Sequence, residues 1–287
     1  MKIQNECILC LFKQVLEVGK TATNDQKKIK ELLDIFAVKI PEINFDLTPP
    51  EVAEELYNDL KVKLNTRDPY LNFKEKHMQV AHKVYPYAKD VVKNSNHKIQ
   101  TALLLSATGN SIDAGISNNI DIENIFKNDV KSGFAINDIK DFKKSLAKGK
   151  NLLIIADNSG EGYFDKILIE EIKQMYDIKI YYAVRSQPIL NDITKKEANE
   201  IGINEVAQIV DSGTKAPGLL MEEATEKFKN ILENSDIIIS KGQGNYESLS
   251  ESNIPVYYLL KAKCDVIANQ FAIEKGGLIF KKSIDMI

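Results

Sequence analysis

An acid and an amide stand side by side after a short apolar run, and this pair is the strongest chemical feature of the sequence. The run Leu152–Ala156 is typical of a buried parallel strand, and Asp157, Asn158 and the further acid Glu161 follow it. Open α/β sheets bind ligands just beyond the carboxyl ends of their strands. Carboxylate and amide oxygens suit Mg²⁺ or Mn²⁺. Asp157 and Asn158 are therefore candidate metal ligands, although an acid after a strand is equally often a helix N-cap.

Similar chemistry follows four more predicted strands, whose carboxyl ends would lie at the same edge of a parallel sheet. Asp192 offers a third oxygen ligand for a cation, with Glu161 as a reserve acid, and basic side chains and glycine-rich turns suit phosphate. The candidate phosphate contacts at these strand ends are Arg185, Ser212, Gly213, Lys241, Gly242, Gln243, Gly244 and Asn245. Taken singly, each has a simpler interpretation: an N-cap for the acid, a turn for the glycines and a solvated surface residue for the lysine.

A polar loop between two glycines, Gly109 and Gly115, contains Asn110 and Asp113. Its simpler interpretation is a helix stop followed by a new N-cap, which the sequence alone favours. In the functional interpretation, Asn110 and Asp113 approach the cleft of Asp157 and complete a phosphate pocket.

The chain has only three cysteines, Cys7, Cys10 and Cys264, which is unlike a secreted disulfide framework. Together they offer three soft ligands for a second metal, one short of the usual four. Partly buried reduced thiols are the equally good alternative.

The elements that must position these residues fall into two parts. Apolar residues at helical spacing dominate before residue 150, and no β pattern is evident there. After residue 150, strand candidates alternate with helical patterns; the strands are 152–156, 179–184, 205–210, 237–240, 256–260 and 278–280. This alternation predicts an α/β fold, with a Rossmann-like three-layer α/β/α core and a mainly parallel sheet. We expect residues 1–148 to form a helical N-terminal part packed on the core, and residues 149–287 to form the core that carries the site.

Bulk composition excludes several classes of protein. The 287 residues are 44% hydrophobic and 28% charged, with a formal net charge of -3, which argues against a dedicated nucleic-acid binder. No apolar run approaches the length of a transmembrane helix, and the polar start Met1–Glu6 does not resemble a signal peptide. We therefore expect a cytoplasmic protein without a membrane partner; the oligomeric state is left open.

Taken in order, the motifs resemble those of the damage-control phosphatase family, formerly a domain of unknown function. The resemblance spans nearly the whole chain, and the N-terminal Cys-x-x-Cys suggests its archaeal and bacterial branch. The pieces that carry it are Cys7-x-x-Cys10, Asp68-Pro69-Tyr70, Gly109–Asp113, Asp157–Glu161, Asn191-Asp192, Ser212-Gly213 through Pro217-Gly218, Lys241–Asn245 and Lys261–Cys264.

The resemblance implies a metal-dependent phosphoric monoester hydrolase that acts on small phosphorylated metabolites, such as sugar phosphates or damaged intermediates. It implies metal ligation by Asp157, Asn158 and Asp192 and a phosphate contact from Lys241, which makes these four the catalytic candidates. The cofactor would be Mg²⁺, Mn²⁺, Co²⁺ or Ni²⁺. Ser159 stands where alanine is common in the family.

Two other functions remain open at this point. A eukaryotic relative in the family has been described as an S-adenosylmethionine-dependent carboxyl methyltransferase. A phosphometabolite-binding protein without turnover is the third possibility. For the phosphatase, we expect direct attack by water, because an Asp that already ligates a metal is a poor nucleophile.

Overall fold

One mixed sheet lies at the centre of this computed structural model, which describes residues 1–109 and 122–283. Within these ranges the strands are β1 (Ile136–Asn137), β2 (Asn151–Ile155), β3 (Lys179–Val184), β4 (Gln208–Asp211), β5 (Ile237–Lys241), β6 (Tyr257–Lys261) and β7 (Leu278–Lys282). Their order across the sheet is β1-β7-β6-β5-β2-β3-β4.

The five strands from β6 to β4 run parallel, whereas β7 is antiparallel to β6 and β1 is parallel to β7. From β2 the chain proceeds outward through β3 to β4, and it then returns to the other side of β2 to form β5. The order therefore reverses between β2 and β5. Such a switch point is where open α/β sheets bind ligands.

Both faces of the sheet are buried, which explains why the strands are almost continuously apolar. Side chains alternate along β2, so Leu152 and Ile154 pack into one hydrophobic cluster while Leu153 and Ile155 pack into another. Helices cover each face, which gives three layers.

The helices divide according to the cluster that they cover. The first face is covered by α4 (Leu71–Lys93), α5 (Lys98–Thr108), α6 (Ile122–Ser132), α7 (Ile139–Leu146), α8 (Gly162–Met175) and α9 (Lys195–Ile201). The second face is covered by α10 (Glu226–Glu233), α11 (Gln243–Leu249) and α12 (Asp265–Gln270). Among the described residues, no helix is both long and apolar enough to span a bilayer.

A third cluster belongs to the helices α1 (Asn5–Ala22), α2 (Gln26–Lys39) and α3 (Pro49–Leu64), which we call the cap. Thr48 is the N-cap of α3: its backbone N–H and hydroxyl donate to Glu51 in a capping box. Ile189, from the loop after β3, is buried in this same cluster. The hydrophobic cluster of the cap thus contains a residue from the middle of the chain.

The predicted three-layer α/β/α fold with a mainly parallel sheet is confirmed. The pattern missed β1, because two residues are too few to show alternation. It also placed β4 three residues early, at Glu205, where a short 3₁₀ helix precedes the strand. The division at residue 148 stays a prediction. Because α4, α5 and α7 pack on the sheet, we propose that the separate helical part ends near residue 70.

Candidate metal and phosphate site

The loops after β2 and β3 pair with each other and bring the three predicted metal ligands together. Ile193 N donates to Asp157 O at 2.8 Å, and Ser159 N donates to Asn191 O at 2.8 Å. Between these bonds, Asn158 and Asp192 form an isolated antiparallel bridge. Asp157, Asn158 and Asp192 are all buried. A short stretch of backbone pairing therefore builds the candidate cation site.

The amide of Asn158 is oriented by two carboxylates. Its Nδ2 donates to Glu161 Oε1 at 2.8 Å and to Asp157 Oδ2 at 3.3 Å. Both partners are acceptors, which fixes the nitrogen on that side and leaves Oδ1 on the other side of the amide. Asn158 can therefore offer its oxygen to a cation.

The buried charges at this edge of the sheet do not balance. Two buried cations, Lys241 and Arg185, lie among four buried carboxylates, those of Asp157, Glu161, Asp165 and Asp192. Burial, followed by the nearby Asp192 carboxylate, raises the pKa of Asp157 to about 7. Burial likewise raises the pKa of Glu161 to about 7. Buried charge requires compensation, and the excess of two negative charges fits one divalent cation.

The position of the Asp157 carboxylate explains why residue 242 is a glycine. Gly242 has φ +79°, and a Cβ at this position would lie 2.0 Å from Asp157 Oδ2. Only glycine leaves room for the carboxylate at the switch point between β2 and β5. The N–H of Gly242 donates to Leu259 O at 3.0 Å. Gly242 therefore makes space for the acid, while the phosphate contact expected of its amide stays a prediction.

Lys241 lies behind the site. Its ammonium donates to Glu161 and Asp165, each at 2.7 Å, and to Ser106 O at 3.0 Å, and its side chain is fully buried. Asp165 also accepts from the Tyr182 hydroxyl at 2.7 Å. In this structure the Lys241 ammonium therefore holds Glu161 inside the protein, and the phosphate contact expected of Lys241 stays a prediction.

Arg185 and Asn245 are likewise engaged inside the protein. Arg185 Nε donates to Asp192 Oδ2 at 2.7 Å, and its Nη2 donates to Asn245 Oδ1 at 2.9 Å. Asn245 in turn donates to Ala156 O and Lys241 O. Arg185 and Asn245 therefore orient Asp192 and join β2 to β5. The phosphate contacts expected of them stay predictions.

In the loop after β4, the backbone amides that were expected to bind phosphate make hydrogen bonds within the protein. Ser212 N donates to Val184 O at 3.0 Å, which extends the β3–β4 ladder. Gly213 N donates to Asp211 Oδ1 at 2.8 Å. Both amides are thus used within the protein, and the phosphate contacts expected of Ser212 and Gly213 stay predictions.

A cavity of about 250 Å³ opens in front of the three candidate ligands. Of the predicted phosphate-binding residues, Gln243 and Gly244 line it, at the start of α11. Lys263 is the one basic residue among its described lining residues, and it lies close enough to Asp157 to favour the ionised acid. Lys263 was not predicted as a site residue, although the strand-end motif Lys261–Cys264 contains it.

The remaining candidates are the three cysteines and two residues of the polar loop predicted after α5. Cys7, Cys10 and Cys264 all line the cavity. Within the described ranges, no three or more His, Cys, Asp or Glu side chains are arranged to hold a metal ion, and the second metal on the cysteines stays a prediction. The principal site, with two acids and an amide, does not require such a group. Asn110 and Asp113 lie outside the described residues.

Comparison with known proteins identifies the family. A family model described as the damage-control phosphatase ARMT1-like domain matches residues 3–279. The chain belongs to this family. The resemblance drawn from the motifs is thereby confirmed.

Archaeal members of the damage-control phosphatase family resemble the chain over its whole length. A damage-control phosphatase from Pyrococcus horikoshii is 32% identical over 97% of each chain. One from Archaeoglobus fulgidus is 32% identical over 98% of this chain and 99% of its own. The crystal structure of a DUF89 family protein from Pyrococcus horikoshii superposes with a TM-score of 0.89 at 29% identity and covers 99% of both chains.

Proposed function

We propose that this member of the damage-control phosphatase family is a metal-dependent phosphatase of small phosphorylated metabolites. The observation that carries the proposal is the excess of two buried negative charges beside a cavity that also contains Lys263. Asp157, Asn158 and Asp192 would hold the cation through oxygen. Mg²⁺, Mn²⁺, Co²⁺ and Ni²⁺ are the candidate ions, since all of them accept such ligands.

The cation, when bound, would supply charge neutralisation at the phosphate and polarise its P–O bond. Lys263 would provide the protein's own positive charge for the phosphate, and Gln243 and Gly244, the first residues of α11, line the same cavity. Arg185 holds Asp192 in place, and Glu161 holds Asn158. Direct attack by water is the simplest route to the product, because both acids are committed to the cation.

The test measures phosphate release from a panel of phosphomonoesters with each divalent cation and with chelator. We expect release that requires the cation and falls at least about 100-fold in Lys263→Met, because the phosphate loses its protein countercharge. Lys281→Met, which changes a lysine outside the cavity-lining set, is the matched control. Lack of release from protein shown to bind the cation would overturn the proposal. Methyl transfer from S-adenosylmethionine to a carboxylate would instead establish the methyltransferase function.

A further inference from the structure

The cavity has two ends of different character. The end formed by the loops after β2 and β3 contains the candidate cation site. The rest lies between the cap and the core, where Leu11, Ala53 and Val266 form an apolar wall beside the thiols. A phosphomonoester bound at the cation site would direct its alcohol part between these walls.

An acid, Glu247, faces the space left for the alcohol part. It lies one helical turn after Gln243 on α11, and both residues line the cavity. Gln243 Nε2 donates to Glu247 Oε1 at 2.9 Å, and Gln243 Oε1 accepts from Lys263 N at 3.2 Å. The Glu247 carboxylate is therefore held by the residue that also contacts the backbone of Lys263.

The positive charge available to a substrate is small. Lys263 is the sole basic side chain among the described residues that line the cavity, whereas Glu6 and Glu247 are acids outside the cation site. One phosphate group would use Lys263 and the cation together. The Met1 ammonium, also near Glu247, does not line the cavity and donates to Glu247 O and to Ser250 Oγ. Among the described lining residues, a second anionic group would find no further positive partner and would meet the negative charge of Glu247.

We propose that the cavity selects phosphomonoesters whose alcohol part carries no second negative charge, and that Glu247 is the residue that enforces this selection. The inference rests on the proposed function, since it takes the phosphate to lie at the cation site. The substrate class is then the monophosphate of an uncharged, partly apolar alcohol. Phosphorylated carboxylic acids and bisphosphates are excluded.

The test compares two esters that differ only in the terminal group: glycerol phosphate, which ends in an alcohol, and phosphoglycerate, which ends in a carboxylate. Burial raises the pKa of Glu247 to about 7, so the assays are run at pH 8, where the carboxylate is ionised. For the wild type with Mn²⁺, we expect kcat/KM to be at least about 10-fold higher for glycerol phosphate, mainly through KM.

Glu247→Gln keeps the size of the side chain and removes its charge, so we expect the ratio of the two kcat/KM values to fall to about 3-fold or less. Glu247→Asp keeps the charge and should retain discrimination. Glu251→Gln is the matched control, because Glu251 is 63% exposed and is not among the lining residues. An unchanged ratio in folded Glu247→Gln protein would overturn the inference.

Binding measured without turnover separates this inference from the proposed function. Calorimetric titration of the Mn²⁺-loaded protein with the non-hydrolysable phosphonate analogues of the two esters gives the ratio of dissociation constants. If neither these esters nor the rest of the panel is hydrolysed, the phosphatase proposal is overturned. Tighter binding of the glycerol phosphate analogue that disappears in Glu247→Gln would still support the selection. Equal binding of both esters to the wild type would overturn the selection even if both were hydrolysed.

Discussion

At the scale of single residues, Asp157 is held in an environment that opposes its charge. It is buried, it lies near the Asp192 carboxylate, and it presses against the backbone of Gly242. Such an arrangement lowers the stability of the folded protein, and it is typical of binding sites that sacrifice stability for function.

Asp157→Asn should therefore stabilise the cation-free protein while it removes cation binding. We expect the free energy of unfolding at pH 8 without metal to rise by about 1–2 kcal/mol, because the amide escapes both desolvation and repulsion. Urea denaturation measures this change, and added Mn²⁺ should no longer raise the midpoint. Asp177→Asn, at an exposed position, serves as the control. A destabilised variant that still binds Mn²⁺ would show that Asp157 is a structural residue only.

The acids and the amide of the site could be predicted from the sequence, whereas the roles of the basic residues could not. Strand ends and polar side chains are visible in the pattern that places Asp157 and Asn158. Lys241 also stands at a strand end, but its value to a ligand depends on whether it reaches outward or is paired inside. That pairing comes from Asp165 on α8, which no periodicity connects to β5.

At the scale of elements, the loop from β3 to α9 joins the cap to the cation site. Lys61 on α3 donates to Pro188 O at 2.6 Å. Lys74 on α4 is buried between Asp68, at 2.5 Å, and Glu197, at 3.4 Å. Glu197 accepts from Thr194, two residues after Asp192, in the capping box of α9.

Lys74→Met should weaken cation binding although Lys74 does not line the cavity. The substitution leaves Asp68 and Glu197 without their positively charged partner, so we expect the free energy of unfolding to fall by about 3 kcal/mol. We also expect Mn²⁺ affinity to fall about 10-fold, because the loop that carries Asp192 loses its support. Calorimetric titration of folded protein measures the affinity, with the exposed Lys76→Met as control. Unchanged Mn²⁺ affinity would restrict Lys74 to a role in stability.

A pair of acids, Glu54 on α3 and Glu223 before α10, joins the cap to the core in a pH-dependent way. Burial and the hydrogen bond with Glu223 raise the pKa of Glu54 from its ordinary value of 4.5 to about 7. Glu223 already accepts from Lys215 N at 2.7 Å, so Glu54 is the partner that takes the proton. The stabilisation that the protonated Glu54 contributes through this hydrogen bond is complete below about pH 4.5 and is lost as the pH rises through about 7.

Glu54→Gln should therefore be as stable as the wild type at pH 4.5 and more stable at pH 8. We expect a gain of about 1 kcal/mol at pH 8, after allowance for the partial exposure of the pair. Urea denaturation at the two pH values measures it, and the exposed neighbour Glu55→Gln should show no such dependence. A gain of the same size at both pH values would exclude the carboxyl pair as its source.

The sequence predicted the helices and parallel strands of the core, because apolar periodicity reports burial. It could not predict that Ile189 is buried in the cap or that β1 adds to the sheet edge. Both depend on contacts between distant segments, and neither segment is long enough to show a pattern.

At the scale of the whole molecule, the cation site and the cap should respond together to metal. With Mn²⁺ at about 100 times its dissociation constant, the free energy of unfolding should rise by about 2.7 kcal/mol in one transition. Hydrogen exchange followed by mass spectrometry should show added protection in peptides from α1–α3 as well as in those from β2 and β3. Protection confined to the core peptides would show that the cap is independent of the site.

The burial of Ile189 in the cap also sets an order on folding during synthesis. The helices of the cap leave the ribosome before the core, yet their hydrophobic cluster lacks Ile189 until well over a hundred further residues have been made. Lys61 likewise waits for the carbonyl of Pro188. The N-terminal helices would therefore stay incompletely packed, with apolar surface open to chaperones, until the ribosome has passed β3.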